Sequence, residues 1–350
     1  MNYSNTQKYL KNQSWLAVTA LEKEIIAIYS DLNDQIQADL LKIYKKYDLP
    51  KATPEETIAF MQTKVSAGTR GRISRLQLEQ ESIATSMRSA LLKKDKLIEK
   101  AAVEMYQNGY YWNAWATTNA VGVNIGWPLI DEDMIRKAVY DNPFSVFQIS
   151  SSSKGALSKV NKLQWDRKLA IQRVTRELEM AAGRGDSLQT LAKKLDVIFG
   201  FRDATTGKII KDGLNKKGET YKSLRVARTE LHRLFESGHL DEFYAADEEG
   251  VNTSLMFVAT LDARTRPQSA SMDGQRSDKE GRFQYPDGNW YYLGNTGIAG
   301  FDVNDRCAQI QVVDGITPPL RRIKGKGVVR YETYDEWVET LNSENVPRNL

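Results

Sequence analysis

Apolar residues recur through the first third of the chain in steps of three and four. Val18, Leu21, Ile25, Ile28, Leu32, Ile36, Leu40, Ile43 and Tyr47 fall on one helical stripe. Pro50 ends it, having no amide hydrogen to continue the ladder. Thr53-Pro54-Glu55-Glu56 reads as a new helix start: Thr53 can cap, Pro54 suits the first position and Glu56 completes a capping box. Gly68 and Gly71 are expected to break that short helix. From Arg72 a second stripe runs through Ile73, Leu76, Ile83, Met87, Leu91, Ile98, Ala102 and Met105 to an expected stop at Gly109. Both stripes are narrow and their opposite faces polar, so the two helices form an antiparallel hairpin or pack on another subunit. No strict heptad persists, which argues against a standalone coiled coil.

Tyr110, Tyr111, Trp112, Trp115 and Trp127 follow as an aromatic patch, expected to be core rather than a base-stacking platform. Residues 131–140 read as a short helix closed by Asn142-Pro143, and 150–155, with its serine run and Lys154-Gly155, as a linker. Helical periodicity returns at Leu163, Leu169, Ile171, Val174, Leu178 and Met180, and Gly183-Arg184-Gly185 stops it. Asp186-Ser187 starts another helix with Leu188, Leu191, Leu195 and Ile198. A polar loop over 202–218 leads to a helix over 219–248. After Gly250 the period becomes that of strands. Residues 254–261 are rich in strand formers, 283–292 enclose the turn Pro286-Asp287-Gly288-Asn289, and 307–313 alternate like a half-buried strand. A basic tail opens at Pro318-Pro319 and ends in a short helix candidate over 335–341. The expected fold is α+β and mostly α. Its parts are long helices and the aromatic patch over 1–150, a helical basic segment over 151–250, a small β-rich, loop-heavy domain over 251–316, and a tail over 317–350.

Composition narrows the chemistry. The 350 residues carry 49 Lys+Arg and 45 Asp+Glu, a net charge of +4. Wholesale disorder needs far fewer apolar residues and a larger net charge. No apolar run approaches the roughly 18–20 residues of a membrane span, and the first residues lack the apolar stretch of a secretory signal. One cysteine, Cys307, excludes an intrachain disulfide. With two histidines, His232 and His239, little remains for a zinc site or a His-based triad. Both are expected to be interfacial or exposed helix residues. No phosphate-binding glycine loop and no G-x-S-x-G elbow is present. Charge is also uneven: residues 161–230 hold 16 basic against 9 acidic side chains, +7, while 231–250 hold 1 against 6, −5. A basic stretch of this size suits a solvated face or non-specific phosphate binding by counterion release, with Lys208, Lys211, Lys216 and Lys217 as candidate DNA contacts.

Three segments carry more information. Arg228-Thr229-Glu230 opens on a helix. Asp262, Arg264, Thr265 and Arg266 follow, with Asp273-Gly274 eight residues after Thr265. Asp302, Asp305 and Arg306-Cys307 then lead into a strand. In order and spacing these resemble the A-R-T-E, D-x-R-T-C-x-x-C-x-x-x-D-G and H-P-x-C-R-C-like segments of the phage head morphogenesis family, the minor head proteins that include the Mu protein F-like group. The resemblance covers roughly 160–315. Where that family has a Cys/His set suited to a structural metal, this chain has Arg266, Ser269, Asp302, Val303 and Asp305, and only Cys307 remains. One thiolate cannot close a four-ligand site, so no zinc is expected. An Arg266 salt bridge to Asp302 or Asp305 is expected in its place, with packing of Phe257, Leu261, Met272 and Trp290 supplying most of the stability. A hard cation held by Asp262, Asp302 and Asp305 is the alternative. Arg228, Glu230, Asp262, Arg264 and Asp273 are read as a structural ion network rather than a catalytic one.

The resemblance implies a virion structural protein, made in the host cytoplasm and placed in the capsid interior or at the portal vertex. It implies the portal protein as partner, and scaffold or major capsid protein and double-stranded DNA as further contacts, with no membrane, no cofactor and no catalysis. Toxin domains such as ADP-ribosylating ones are fused to some such proteins, and the stretch after 315 is too short to hold one. Two other classes stay open: a metal-dependent nucleic-acid-processing enzyme, with Asp262, Asp273 and Lys279 as its candidate set, and a cytoplasmic helical adaptor.

Overall fold

The computed structural model describes residues 3–47, 67–122, 125–135, 137–138, 162–184, 186–210, 214–260, 264–313, 320–323 and 327–330. The order is α1 (Tyr3–Tyr47), α2 (Ala67–Val121), α3 (Glu132–Ile135), α4 (Lys162–Arg184), α5 (Leu188–Phe199), α6 (Glu219–Glu248), β1 (Thr253–Val258), α7 (Pro267–Ser271), β2 (Phe283–Gln284), β3 (Trp290–Tyr291), α8 (Ala299–Asp302), β4 (Ala308–Val313), β5 (Leu320–Ile323) and β6 (Gly327–Arg330). The fold is α+β and mostly helical, as the periodicity predicts. The expected helix start at 53–56, the linker at 150–155, the Asn142-Pro143 stop and the tail helix at 335–341 lie outside the described residues. The antiparallel β5–β6 pair was not anticipated.

The chain gathers into two compact units, each built from separated stretches. One comprises Ala20–Glu99 and Gln148–Ala227. Its core is the predicted stripes: Ile25, Leu32, Ile36 and Leu40 of α1, Met87, Leu91 and Ile98 of α2, Val174 and Leu178 of α4, and Leu191, Leu195 and Phe199 of α5 are buried. Polar bonds fix the register. Asn33 and Gln37 of α1 donate to Asp196 of α5 at 2.9 and 3.0 Å, and Tyr29 shares a 2.8 Å hydrogen bond with Ser223. Lys94 is fully buried beside Asp95 at 2.9 Å, and Arg167 of α4 reaches the other Asp95 oxygen at 2.5 Å. Ser187 caps α5, its hydroxyl accepting from the Thr190 amide, and Gly200 ends it with a positive φ. The basic loop that follows is pinned at its base. Asn215 donates to the Gly200 carbonyl at 2.9 Å, and a Cβ on Gly218 would run into the Gly200 backbone.

The other unit comprises Met1–Thr19, Lys100–Phe147 and Arg228–Leu350. Three glycines predicted to interrupt helices do not. α2 begins at Ala67, so Gly68 and Gly71 lie inside it, and it passes through Gly109 to Val121. The reason at Gly109 is packing. A Cβ there would overlap the Phe235 carbonyl of α6, and a Cβ on Gly238 of α6 would overlap the Tyr106 carbonyl of α2. Two glycines facing each other's helix let the backbones approach more closely than any side chain allows, which outweighs the helix-propensity cost of glycine, roughly 1 kcal/mol each.

In the same unit β1 pairs antiparallel with β4, Phe257 opposite Gln309. On its other edge β1 takes up the 274–277 segment: Phe257 donates to the Gln275 carbonyl, Gly274 to that of Phe257 and Ser277 to that of Leu255. The predicted hairpin is present as the β2–β3 pair. Phe243, Leu255, Phe257, Met272, Phe283, Tyr285, Leu293 and Cys307 form the core beneath. Trp290 is a correction: it is 43% exposed and outside this core. The expected core patch also divides. Tyr110 is buried, while Tyr111 and Trp115 are exposed, because α2 continues and turns them outward.

Replacing Gly109 by Ala should destabilise the protein although Ala favours helices. Overpacking at a backbone contact costs about 1–3 kcal/mol. Denaturant melts of the full chain that show G109A equal to or more stable than the wild type would refute the close crossing.

Candidate functional site

The three sequence segments converge on the first half of α6 and the loops around β1 and β4. Arg228, Thr229 and Glu230 stand on α6. Thr229 Oγ1 accepts from the Asn304 amide at 3.2 Å, and Asn304 holds a left-handed φ of 53°. Asn tolerates that region because its short polar side chain compensates locally. The Thr265 hydroxyl donates to the Thr260 carbonyl. The Thr260 hydroxyl donates to the Arg306 carbonyl at 2.7 Å. Asp273 accepts from the Ala259 amide at 2.8 Å, and Gly274 follows with a φ of 82°, the conformation that the Asp-Gly pair serves. Arg264 is exposed and Arg306 half-buried. Asp262 and Lys211 lie outside the described residues.

Arg266 corrects the expected salt bridge. Its guanidinium donates to the carbonyls of Gly300 at 2.6 Å and Phe301 at 2.8 Å, and to that of Val303. The carboxylates it was expected to meet are engaged elsewhere. Asp302 accepts from the Thr296 amide at 3.0 Å, its hydroxyl at 2.9 Å and the Gly297 amide at 2.9 Å. Asp305 accepts from the amides of Arg306 at 2.8 Å and Cys307 at 3.2 Å. The physical reason is supply. A loop without ladder bonds leaves amides and carbonyls to satisfy; carboxylates take the first and a planar guanidinium takes the second. Asp302 is thus committed to the Thr296-Gly297 segment and one Asp305 oxygen to backbone amides, while the other Asp305 oxygen stands 4.0 Å from His232 Nε2. Among the described residues no cluster of three or more His, Cys, Asp or Glu is placed to hold a metal ion.

Sequence reading missed a second feature. Glu230, Arg233, Glu236, His239 and Glu242 recur every third residue on α6, and all five are buried. Arg233 donates to Glu230 at 2.9 Å and to the Ala138 carbonyl. β4 lies along this row: Gln309 donates to the Glu236 carbonyl at 3.0 Å. Thr117 of α2 donates to Glu242 at 2.9 Å. With its amide nitrogen turned toward that carboxylate, Gln311 bonds both Glu242 oxygens, at 3.0 and 2.6 Å. The glutamines of the predicted half-buried strand are therefore inside. His239 is likewise a correction, being 1% exposed. Its ring nitrogens stand 4.0 Å from Glu236 and from Glu242. Burial pushes the His239 imidazole down to about 3 and the Glu242 carboxyl up to about 8. His232, half-buried, sits 2.8 Å from the Cys307 carbonyl. The signal was available as the i, i+3 spacing of charged residues in 230–242, which a search for apolar periodicity passes over.

The basic candidates are on the other unit. Lys208, Lys216 and Lys217 are exposed on the pinned 200–218 loop. A cleft of about 460 Å³ beside it is lined by Arg184, Lys193, Lys194 and Arg202. Most of these cations are already paired: Arg184 and Lys194 with Glu177 and Asp186, and Arg202 with Asp196.

Two outcomes test this geometry. Arg266→Lys keeps the charge but not the planar fork, and should cost about 1–3 kcal/mol, with faster hydrogen exchange over 296–305; unchanged exchange would contradict the clasp. Glu242 holds a proton in the folded state that the unfolded chain releases above about 4.3. Its contribution is complete below that value and is lost as pH rises toward about 8. His239 acts oppositely, losing stability as pH falls from about 6.5 toward 3. Denaturant melts between pH 5 and 8 should therefore show the wild type losing stability that Glu242→Gln retains. Parallel pH profiles would refute the buried, protonated carboxyl.

Comparison with known proteins agrees with these segments. Residues 172–310 match the model of the Phage Mu protein F like protein family. The chain is 25% identical over 341 residues to the minor head protein GP7 of Bacillus phage SPP1, covering 96% of each. It is 24% identical over 319 residues to the NAD(+)–arginine ADP-ribosyltransferase EFV of Enterococcus faecalis, covering 90% of this chain but 59% of that protein's length. No solved structure matches. Over residues 172–310 the chain is thus similar to the Mu protein F-like family, and over nearly its full length to a phage minor head protein.

Proposed function

We propose that the protein is a structural component of a phage head that acts in head morphogenesis without catalytic turnover. It associates with the portal vertex and contacts packaged double-stranded DNA through its basic unit. The observation that carries this reading is the end-to-end correspondence with a minor head protein, 96% of both chains. The site supports it. Asp273, Asp302 and Asp305 spend their carboxylates on backbone amides and Arg266 its guanidinium on carbonyls, leaving these groups to build rather than to react.

DNA contact is supported by the +7 charge of 161–230 and by the exposure of Lys208, Lys216 and Lys217. Such contact is salt-dependent and blind to base sequence. Titration with duplex DNA at several salt concentrations should give a log–log slope that falls by up to about 4 when Lys208, Lys211, Lys216 and Lys217 are all replaced by Ala, equally on any duplex. Binding absent at low salt, or insensitive to salt, would count against it. Capture of the cognate portal protein by the full chain tests the other contact.

A second reading is favoured by the name of the Enterococcus relative. Transfer of ADP-ribose from NAD(+) to an arginine-bearing acceptor by the purified chain would establish it, as Mg²⁺-dependent nuclease activity lost in Asp262→Ala would establish the metalloenzyme. For a cytoplasmic adaptor, the neighbouring genes would lack a portal and a large terminase.

A further inference from the structure

The unit that carries the motif segments also presents an apolar face that its core does not use. Tyr111 and Trp115, one turn apart on the outward side of α2, are 39% and 49% exposed, and Leu129 is 82% exposed. The segment bearing Leu129 is strapped along α2. The Tyr110 hydroxyl donates to the Pro128 carbonyl at 3.0 Å, the Tyr111 hydroxyl accepts from the Ile130 amide at 3.0 Å, and the Trp127 indole donates to Thr118 at 2.7 Å. Tyr110 meets Tyr111 edge to face at 5.3 Å, which fixes the ring. The face is therefore preorganised, the condition under which an aromatic anchor binds with little ordering cost.

Its rim is acidic. Asp131, Glu132 and Asp133 follow Leu129 after Ile130 and are exposed. Asp241 holds the Tyr106 hydroxyl at 2.5 Å, and the charges of Asp241 and Glu248 reach Tyr110. Lys137 stands against Asp241. This rim decides between occupants. Exposed aromatic rings would stack nucleobases, but the carboxylates repel the accompanying phosphates, and an anionic lipid surface meets the same repulsion. A helix with an apolar stripe and a lysine- or arginine-bearing face meets attraction on both counts, with cations placed over Trp115 and Tyr111. The chain as a whole is +4, so such a helix is drawn to this rim and not to the protein generally.

We propose that the Tyr111–Trp115–Leu129 face is a docking surface for a basic amphipathic helix of a partner protein. It goes beyond the head-component reading and is separate from the DNA contact, which lies on the other unit. The test uses the full chain and a synthetic helical peptide with a Leu/Trp stripe and a lysine face. Its counterpart with every Lys replaced by Glu, and a lysine homopolymer, serve as controls. The lysine peptide should bind saturably at one to one and weaken as salt rises. Affinity should fall at least tenfold in Trp115→Ala/Leu129→Ser and in Asp131→Asn/Glu132→Gln/Asp133→Asn, and stay unchanged in Lys208→Ala/Lys216→Ala. All the substituted side chains are exposed, and thermal melts confirm that each variant folds. The proposal is overturned by absent or non-saturable binding, by equal binding in the face variants, or by equal binding of the homopolymer. It is also overturned if sedimentation shows self-association that Trp115→Ala abolishes, which would give the face to a second copy of this chain.

Discussion

The guanidinium of Arg266 closes the motif region. It reaches the carbonyls of three residues, Gly300, Phe301 and Val303, that no strand or long helix satisfies. Where such groups are taken out of water, as at half-buried Phe301 and Val303, each bond left unmade costs desolvation free energy. The acids do the reciprocal task. Asp273, Asp302 and Asp305 each hold amides of the segments they join. A metal would fix the same loops by drawing a few ligands to one point. Here the work is spread over many weaker bonds that each fix one turn, so no single lost side chain need collapse the whole.

The same logic, taken inside, explains α6. Five charged or titratable side chains at every third position are buried in one row, where unpaired charges would be prohibitive. The carboxylates of the row each find a donor: Arg233 for Glu230, the Gln309 backbone amide for Glu236, Thr117 and Gln311 for Glu242, while the ring nitrogens of His239 have no hydrogen-bond partner. Glu242 and His239 meet the remaining cost by staying neutral. The glycine contacts that bring α2 against α6, Gly109 on Phe235 and Gly238 on Tyr106, fall within the span of this row. Close backbone approach and a polar seam reinforce each other, because a seam of short bonds needs helices that cannot drift.

Legibility in the sequence followed the kind of force involved. The stripes of α1 and α2, the Asp186-Ser187 start of α5, the full span of α6 and the β2–β3 hairpin were readable, because each follows from local periodicity, capping or turn chemistry. Gly109 was misread for the opposite reason. A glycine that ends a helix and one that admits a neighbouring backbone look alike until the neighbour is known. Trp290 and Trp115 were assigned to the core by residue type, and only the hairpin's orientation and α2's continuation turned them outward. At the site, the order and spacing of Arg228–Glu230, Asp273-Gly274 and Asp305–Cys307 picked out segments that the fold brings together around β1 and β4. The chemistry was half right. Arg266, at a position where the resembled family has a cysteine, does hold the loop, but its partners are carbonyls and not the expected carboxylates. Sequence shows charges as seeking opposite charges, whereas in loops the unsatisfied backbone outnumbers them.

This distinction bears on what the molecule is for. A reactive site leaves a polar group poised, with a shifted affinity for protons and open access to a ligand. The shifted His239 and Glu242 are fully buried groups shut between α6, β4 and α2, while the motif carboxylates that face the loops accept amide bonds. What remains accessible is surface, basic on one unit and aromatic with an acidic rim on the other. A basic surface and an aromatic one with an acidic rim differ in the charge of the ligand that each would attract.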